Sequence, residues 1–271
     1  MRAPTMHEPR RVTSDVDLLG AWAPVPGHGV LAVNSFVIHA REPVLVDTGL
    51  AALGGRFMAV LEQTIDPASL RWIWITHPDA DHVGNLGAVL ERAPHARVVA
   101  SRHGLRTLAA MRLPLARERL FLLDPGQRLQ VGDRELLAVE PPIMDTAETT
   151  GLLDTGNGVL FSADCFGAVL PAPVAEASQV GNVLLKLGTA AWARAHAGSP
   201  ARQDRRAFVG SLEAIRRLAA TTILGSHLPP ARAMTERLLQ FIADAAEAPL
   251  LCAPELTTID GLFTDVQPLA A

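Results

Sequence analysis

Within six residues the chain places His77, Asp79, Asp81 and His82, spaced by Pro78 and Ala80. Imidazole nitrogens and carboxylate oxygens are ordinary protein ligands for divalent transition metals. Four such groups this close cannot all point one way from a helix or a strand, and Pro78 disfavours a helix interior. A loop at the carboxyl end of a strand can converge them. One ion rarely takes all four neighbours, because the short spacing would strain its coordination. Two ions can share them, His77 and Asp79 on one, Asp81 and His82 on the other, each completed from distant segments and by something bridging. Asp164 at the end of VLFSAD, His227 at the end of TTILGSH and Asp145 in PPIMDTAETT are the candidates. A plain polar turn is the simplest alternative, and the apolar WIWIT directly before it makes that a poor one.

The elements that must position these groups are legible in outline. Val30–Val33, Ser35–His39 and Pro43–Val46 read as strands, bounded by Gly, Pro and Asn. Leu53–Thr64 has Phe57, Val60 and Leu61 on one helical face. Residues 71–76 form a continuous apolar strand of the buried kind. Val83–Arg92 and Gly104–Arg112 read as helices, with a strand at Arg97–Ser101 between them. Strands return at Phe121–Leu123, Arg128–Val131, Glu135–Val139, Gly151–Leu153 and Val159–Ser162, the last two joined by the turn Asp154-Thr155-Gly156-Asn157-Gly158. Residues 170–218 are Ala-rich and helical, expected to cover the sandwich or to wall a pocket. A strand at Thr221–Leu224 precedes a helix at Ala231–Ala246. Strands, helices, strands, helices without a long linker predict one α/β (α+β) domain over 1–271, core about 28–246, built as a four-layer αββα sandwich.

Composition narrows the partners. The 271 residues carry a net charge of −4, with 49% apolar and 19% charged residues. The basic residues are scattered and, Lys186 apart, all arginine, which gives no nucleic-acid footprint. No apolar run approaches the ~20 residues of a membrane span, and the N-terminus shows no apolar signal segment. Cytoplasm is the expected compartment. Cys165 and Cys252 make neither a disulfide framework nor a cysteine metal site.

HPDADH resembles the H-x-[HE]-x-D-H signature of the metallo-β-lactamase superfamily. Sixty-two residues separate His82 from Asp145, eighteen separate Asp145 from Asp164, and sixty-two separate Asp164 from His227. With VLVDTG, LFSADCFG and GSHLPP, this spacing is similar to the metallo-β-lactamase-like domain of flavodiiron proteins and their oxygen-binding relatives. The resemblance implies that His77, Asp79 and Asp145 hold a first metal and that Asp81 and His227 hold a second. It implies Asp164 as the bridge, with His82 a ligand of the second metal or a group just behind it. Two positions depart from the pattern. Residue 79 is Asp where zinc hydrolases carry His and flavodiiron proteins usually Glu, and residue 145 is Asp where both usually carry His. Glu148 is a weaker substitute ligand. Four carboxylates would balance two divalent ions, and hard oxygen donors suit Fe or Mn better than Zn, though Zn stays open.

Two Asp-Thr-Gly triplets, at 47–49 and 154–156, could evoke an aspartic protease dyad, but their flanks do not repeat. Asp47 could instead orient a ligand histidine, as the resemblance implies, or simply end a strand. Strand alternation turns Cys165 away from the metals, as a core thiol. His28, His39, His95, His103 and His196 show no partner pattern, and His28, in the Gly-rich PVPGHGV turn, is the one to inspect near the pocket.

The function expected first is a metallo-hydrolase using a metal-bound hydroxide on a small-molecule substrate, with Asp81 or Asp145 carrying the proton. The alternative is a di-iron protein that binds, senses or reduces O2 or NO. The 44 residues after His227 are expected to leave no room for a flavin domain, so a reductase would need an external electron-donor protein, whereas an oxygen-binding or sensing role would not. A binding protein that has lost its metal is disfavoured by His77, His82, Asp164 and His227. Neither nucleic acid nor membrane is an expected partner, and a homodimer is compatible with all three readings.

Overall fold

The computed structural model describes residues 3–111, 113, 115–144, 146–195 and 204–247, so Asp145, His196 and Cys252 lie outside the described residues. Two short strands, β1 (Thr5–Met6) and β2 (Arg10–Arg11), lie against β3 (Val16–Val25), which pairs antiparallel with β4 (Gly29–Ile38) along its whole length. The sheet continues through β5 (Val44–Val46), antiparallel to β4, and then through a parallel run of β6 (Trp72–Trp74), β7 (Arg97–Ala100) and β8 (Leu120–Leu122). Parallel neighbours need crossovers. These are α1 (Gly54–Thr64), the one-turn α2 (Ala80–Val83) with α3 (Leu86–Arg92), and α4 (Arg102–Ala110).

A second sheet holds β9 (Arg128–Gln130), β10 (Glu135–Val139), β11 (Gly151–Asp154) and β12 (Val159–Phe161) as an antiparallel meander. After β12 the chain returns to the first sheet as β13 (Val169–Leu170), paired with β4. It then forms α5 (Asn182–Ala195) and α6 (Arg205–Arg217) and re-enters the second sheet as β14 (Thr222–Leu224), parallel to β12. An edge strand, β15 (Ala231–Arg232), and α7 (Thr235–Glu247) follow.

Period-two alternation decides which face of each strand meets which layer. Val44, Val46, Trp72 and Trp74 from the first sheet pack with Leu152, Val159, Phe161 and Leu224 from the second, forming the core between the sheets. Phe36 and Phe161 meet there edge to face, with ring centroids 5.3 Å apart. The intervening Leu45, Ile73 and Val98 turn outward onto Phe57, Val60, Leu61, Val89 and Leu90 of α1 and α3. Leu153, Leu160 and Ile223 turn outward from the other sheet onto Leu185, Phe208, Leu212, Leu238 and Ile242 of α5, α6 and α7. The result is the expected αββα sandwich. Among the described residues no helix is long and apolar enough to cross a membrane.

Several elements differ from the sequence reading. The ten-residue β3 was not anticipated, because Asp17, Gly20 and Pro24 interrupt its β-branched and apolar pattern. The helix expected over 83–92 breaks at Gly84–Asn85. A Cβ at 84 would collide with the backbone of Gly49 and Ala51, and Asn85 spends its amide on the carbonyls of Thr48 and Leu50 (2.6 and 3.0 Å). The last helix starts at Thr235 rather than Ala231, since 231–232 pair with β14 and Ala233 takes a left-handed φ of 52°.

Candidate metal centre

The functional side chains collect where strands of both sheets end at their carboxyl termini, the usual ligand edge of parallel α/β sheets. Asp47 follows β5 directly, His77 lies three residues past β6, Asp164 three past β12 and His227 three past β14. Two backbone positions at this edge are strained, Asp47 at φ 57° and Ala163 at φ 49°, and such conformations persist where surrounding structure holds them.

Asp47 accepts hydrogen bonds from Thr76 N and Thr76 Oγ1, both at 2.8 Å, and faces His82 Nδ1 at 2.9 Å. Thr48 fixes the same turn by bonding the His82 carbonyl through its N and its Oγ1 (2.6 and 2.9 Å). Asp81 and His82 therefore sit on a single helical turn, α2, whose first carbonyl, Asp79 O, accepts from His82 N and Val83 N. Across the cleft, His227 Nδ1 donates to the Ala32 carbonyl at 2.7 Å. With Nδ1–H committed outward, the Nε2 lone pairs of His82 and His227 face inward.

What they face is carboxylate. His82 Nε2 lies 3.2 Å from Asp164 Oδ1 and 3.4 Å from Asp81 Oδ2. His227 Nε2 lies 3.2 Å from Asp81 Oδ2 and 3.4 Å from Asp164 Oδ2. His77 Nε2 lies 3.5 Å from Asp79 Oδ2 and 3.9 Å from Asp164 Oδ2. Two triads have ligand atoms close enough to share an ion: His77, His82 and Asp164, and Asp81, His82 and His227. Asp164 reaches both, one oxygen towards His82 and the other towards His77 and His227.

These separations fit a cation. Two ligand atoms each about 2.1 Å from one ion, at tetrahedral or octahedral angles, stand roughly 3.0–3.4 Å apart, whereas a direct charged hydrogen bond closes to about 2.8 Å. His82 Nε2 and Asp164 Oδ1 are buried and make no hydrogen bond, a costly arrangement unless a positive centre sits between them. The electrostatics agree. Burial opposes charge on Asp81 and Asp164, yet the neighbouring imidazoles hold Asp81 down at about 2 and Asp164 well below the carboxylate range. Burial likewise opposes the imidazolium of His227, but Asp164 and Asp81 raise it to about 10, and Asp81, Asp47 and Asp164 push His82 well above its ordinary value. The site demands positive charge.

Asp79 is the exposed member, its side chain 45% accessible while that of His77 is fully buried. The site therefore opens on the Asp79 side. The segment beyond Asp145 is anchored beside the ligand strand by Thr150 N, which donates to Thr76 O at 2.8 Å. Glu148 is turned elsewhere, accepting from Thr107 Oγ1 of α4 at 2.5 Å. Cys165 is fully buried, and burial pushes its thiol up to about 12. Asp154 holds its own turn, accepting from Gly156 N at 3.0 Å and from Asn157 and Arg134, far in role from Asp47. His28, His95 and His103 are exposed.

Sequence reasoning placed Trp192 only in the helical cover or pocket wall, and it missed the roles of Ala32 and Asn34 at the site. Trp192 of α5 lies with its ring 4.7 Å from that of His227 and donates from Nε1 to the Asp164 carbonyl at 2.8 Å. Ala32 contributes only a backbone carbonyl, which leaves no mark in a sequence. Asn34 bonds the His227 loop through its side chain. A cavity of about 340 Å³ lies beside Trp22, Asn34, Pro173 and Pro230, and none of the candidate ligands lines it.

The fold is an αββα sandwich whose strand ends carry two His/Asp triads able to hold a metal ion. Residues 28–227 match the metallo-beta-lactamase superfamily, and the chain belongs to it. The anaerobic nitric oxide reductase flavorubredoxin of Aliivibrio fischeri is 29% identical over 135 residues, covering 49% of this chain and 27% of that protein. The type A flavoprotein of Rhodobacter capsulatus is 31% identical over 137 residues, covering 50% of this chain and 32% of that protein. The matched stretch thus spans less than a third of either relative. Among solved structures, the rubredoxin oxygen:oxidoreductase of Desulfovibrio gigas superposes with a TM-score of 0.76 at 18% identity, over 89% of this chain and 62% of that one. The flavodiiron core from Synechocystis gives 0.77 at 18% identity, over 90% and 62%. These two share the fold.

Proposed function

We propose that this protein holds a di-iron centre and uses it to bind and reduce dioxygen or nitric oxide, with electrons from a donor outside the described residues. The observation that carries this reading is the match of half the chain to proteins named as a nitric oxide reductase and a type A flavoprotein. The oxygen-rich donor set supports it, since hard carboxylates favour iron over zinc. The hydrolytic reading has the breadth of the superfamily behind it, but no feature of this site selects it.

In the proposed arrangement His77, Asp79 and Asp145 hold one ion, Asp81 and His227 hold the other, and Asp164 bridges. His82 reaches both triads, so the geometry favours it as a ligand over a group standing behind one. When bound, the iron pair supplies electrons and open coordination positions to a diatomic molecule. The chain's own residues do the rest. Asp47 and the Ala32 carbonyl keep the Nε2 lone pairs of His82 and His227 directed inward. Asp81 lies between two imidazoles that hold it ionised, so of the two proton carriers first expected, Asp81 and Asp145, the role falls to Asp145. Trp192 closes the α5 side against water.

Metal analysis of protein purified without chelator, with a visible spectrum before and after anaerobic reduction, tests the proposal. The expected result is close to two iron ions per chain, an absorption band that reduction bleaches, and consumption of O2 or NO by the reduced protein. Colourless, zinc-replete protein with esterase or lactonase activity would overturn it in favour of hydrolysis.

A further inference from the structure

His227 stands on a short irregular loop, residues 225–228, with no helix or strand of its own to fix it. The fixing comes largely from β4. Asn34 N donates to Ser226 O at 3.0 Å. Asn34 Nδ2 donates twice, to Gly225 O at 2.9 Å and to Leu228 O at 2.8 Å. Ala32, two residues earlier and so on the same face of the strand, takes the Nδ1–H of His227. Both protons of the Asn34 amide are thus used on carbonyls that flank His227 on either side. The loop's other edge is tied to the turn bearing Asp164, through Ser226 N to Ala163 O (2.9 Å) and Ala168 N to His227 O (3.0 Å).

We propose that Asn34 is a positioning residue for the second cation. It clamps the 225–228 loop so that His227 Nε2 stays beside Asp81 Oδ2 and Asp164 Oδ2. The inference rests on the dinuclear reading above, with His227 as a ligand of that cation. The side chain is 5% exposed, and its chemistry is specific. Alanine would leave two buried carbonyls unsatisfied, and aspartate would set an acceptor against two acceptors. Either change frees the loop, and groups that orient a metal ligand in this way are worth about 10- to 100-fold in metal affinity.

Cobalt(II) titration followed by visible absorption, with metal content after gel filtration, tests it independently of any turnover. Wild-type protein is expected to bind two equivalents. Asn34→Ala and Asn34→Asp are expected to keep the first within about threefold and to weaken the second 10- to 100-fold, with loss of the absorption increment belonging to it. Asn157→Ala, which removes the two side-chain bonds from Asn157 to Asp15 and Asp154 at a turn away from the site, should titrate as wild type. Where alanine does not fold, Asn34→Ser retains one donor and takes its place. Folded Asn34 variants that bind both ions normally, or that lose both in proportion to stability, would overturn the positioning role while leaving the dinuclear reading intact. Wild-type protein that takes up one ion or none would sink the dinuclear reading and this inference with it.

Discussion

Asp47 illustrates how much of the site rests on which nitrogen carries a proton. Its carboxylate accepts twice from Thr76 and once from His82 Nδ1, which leaves His82 Nε2 as the nitrogen that faces the carboxylates and can exchange its proton for a cation. In Asp47→Asn the oxygen is still needed by Thr76, so the amide NH2 faces His82 and drives its proton onto Nε2. We expect that variant to fold with nearly unchanged stability and to bind the His82-coordinated ion about 10- to 100-fold more weakly, read by cobalt titration at pH 7. Equal affinity would mean that Asp47 does not set the tautomer. At this scale the sequence was informative where chemistry is carried by rare polar types in apolar surroundings: His77, Asp81, His82, Asp164 and His227 all meet in one cleft. It was silent on Ala32, which acts through a carbonyl, and on Asn34, whose bonds join positions 191 and 194 residues away.

At the scale of elements, α5 is the piece whose role periodicity could not reveal. Its apolar spacing marks Trp192 as a covering residue, but only the fold shows that the indole lands on His227 and on the backbone of Asp164. Two glycines allow that approach. A Cβ at Gly167 would stand 2.5–2.8 Å from atoms of the indole, and one at Gly188 would stand 2.6 Å from Val169 O. We expect Gly167→Ala to push the indole off His227, to cost about 1–3 kcal/mol in urea unfolding by overpacking, and to shift tryptophan emission. Unchanged emission and stability would show that α5 has slack there. The strands VLV, WIW and VLF were readable because buried parallel strands are continuously apolar. β3 was not, because its register is set by pairing with β4 rather than by its own pattern.

For the whole molecule, the sandwich brings buried carboxylates and imidazoles from four strand ends together, and the protonation of that cluster couples metal, pH and stability. In the metal-free protein the His227 pKa rises from 6.5 to about 10, against burial, because Asp164 and Asp81 face it. The native state then holds a proton that the unfolded chain releases across that window, so metal-free stability should fall as pH climbs from 6.5 towards 10. Asp81 is lowered from 3.8 to about 2, against burial, chiefly by His82 and His227. Its contribution is present above 3.8 and lost as pH falls towards 2. Metal reverses the alkaline limb, because ligation needs neutral imidazole and displaces the protons, so affinity rises with pH. Bound ion stabilises the native state by mass action. Thermal unfolding of chelator-treated and metal-loaded protein between pH 6 and 9 should therefore give diverging curves, the midpoint falling without metal and holding or rising with it. Parallel curves would mean that the cations, if bound, do not replace the protons of His82 and His227.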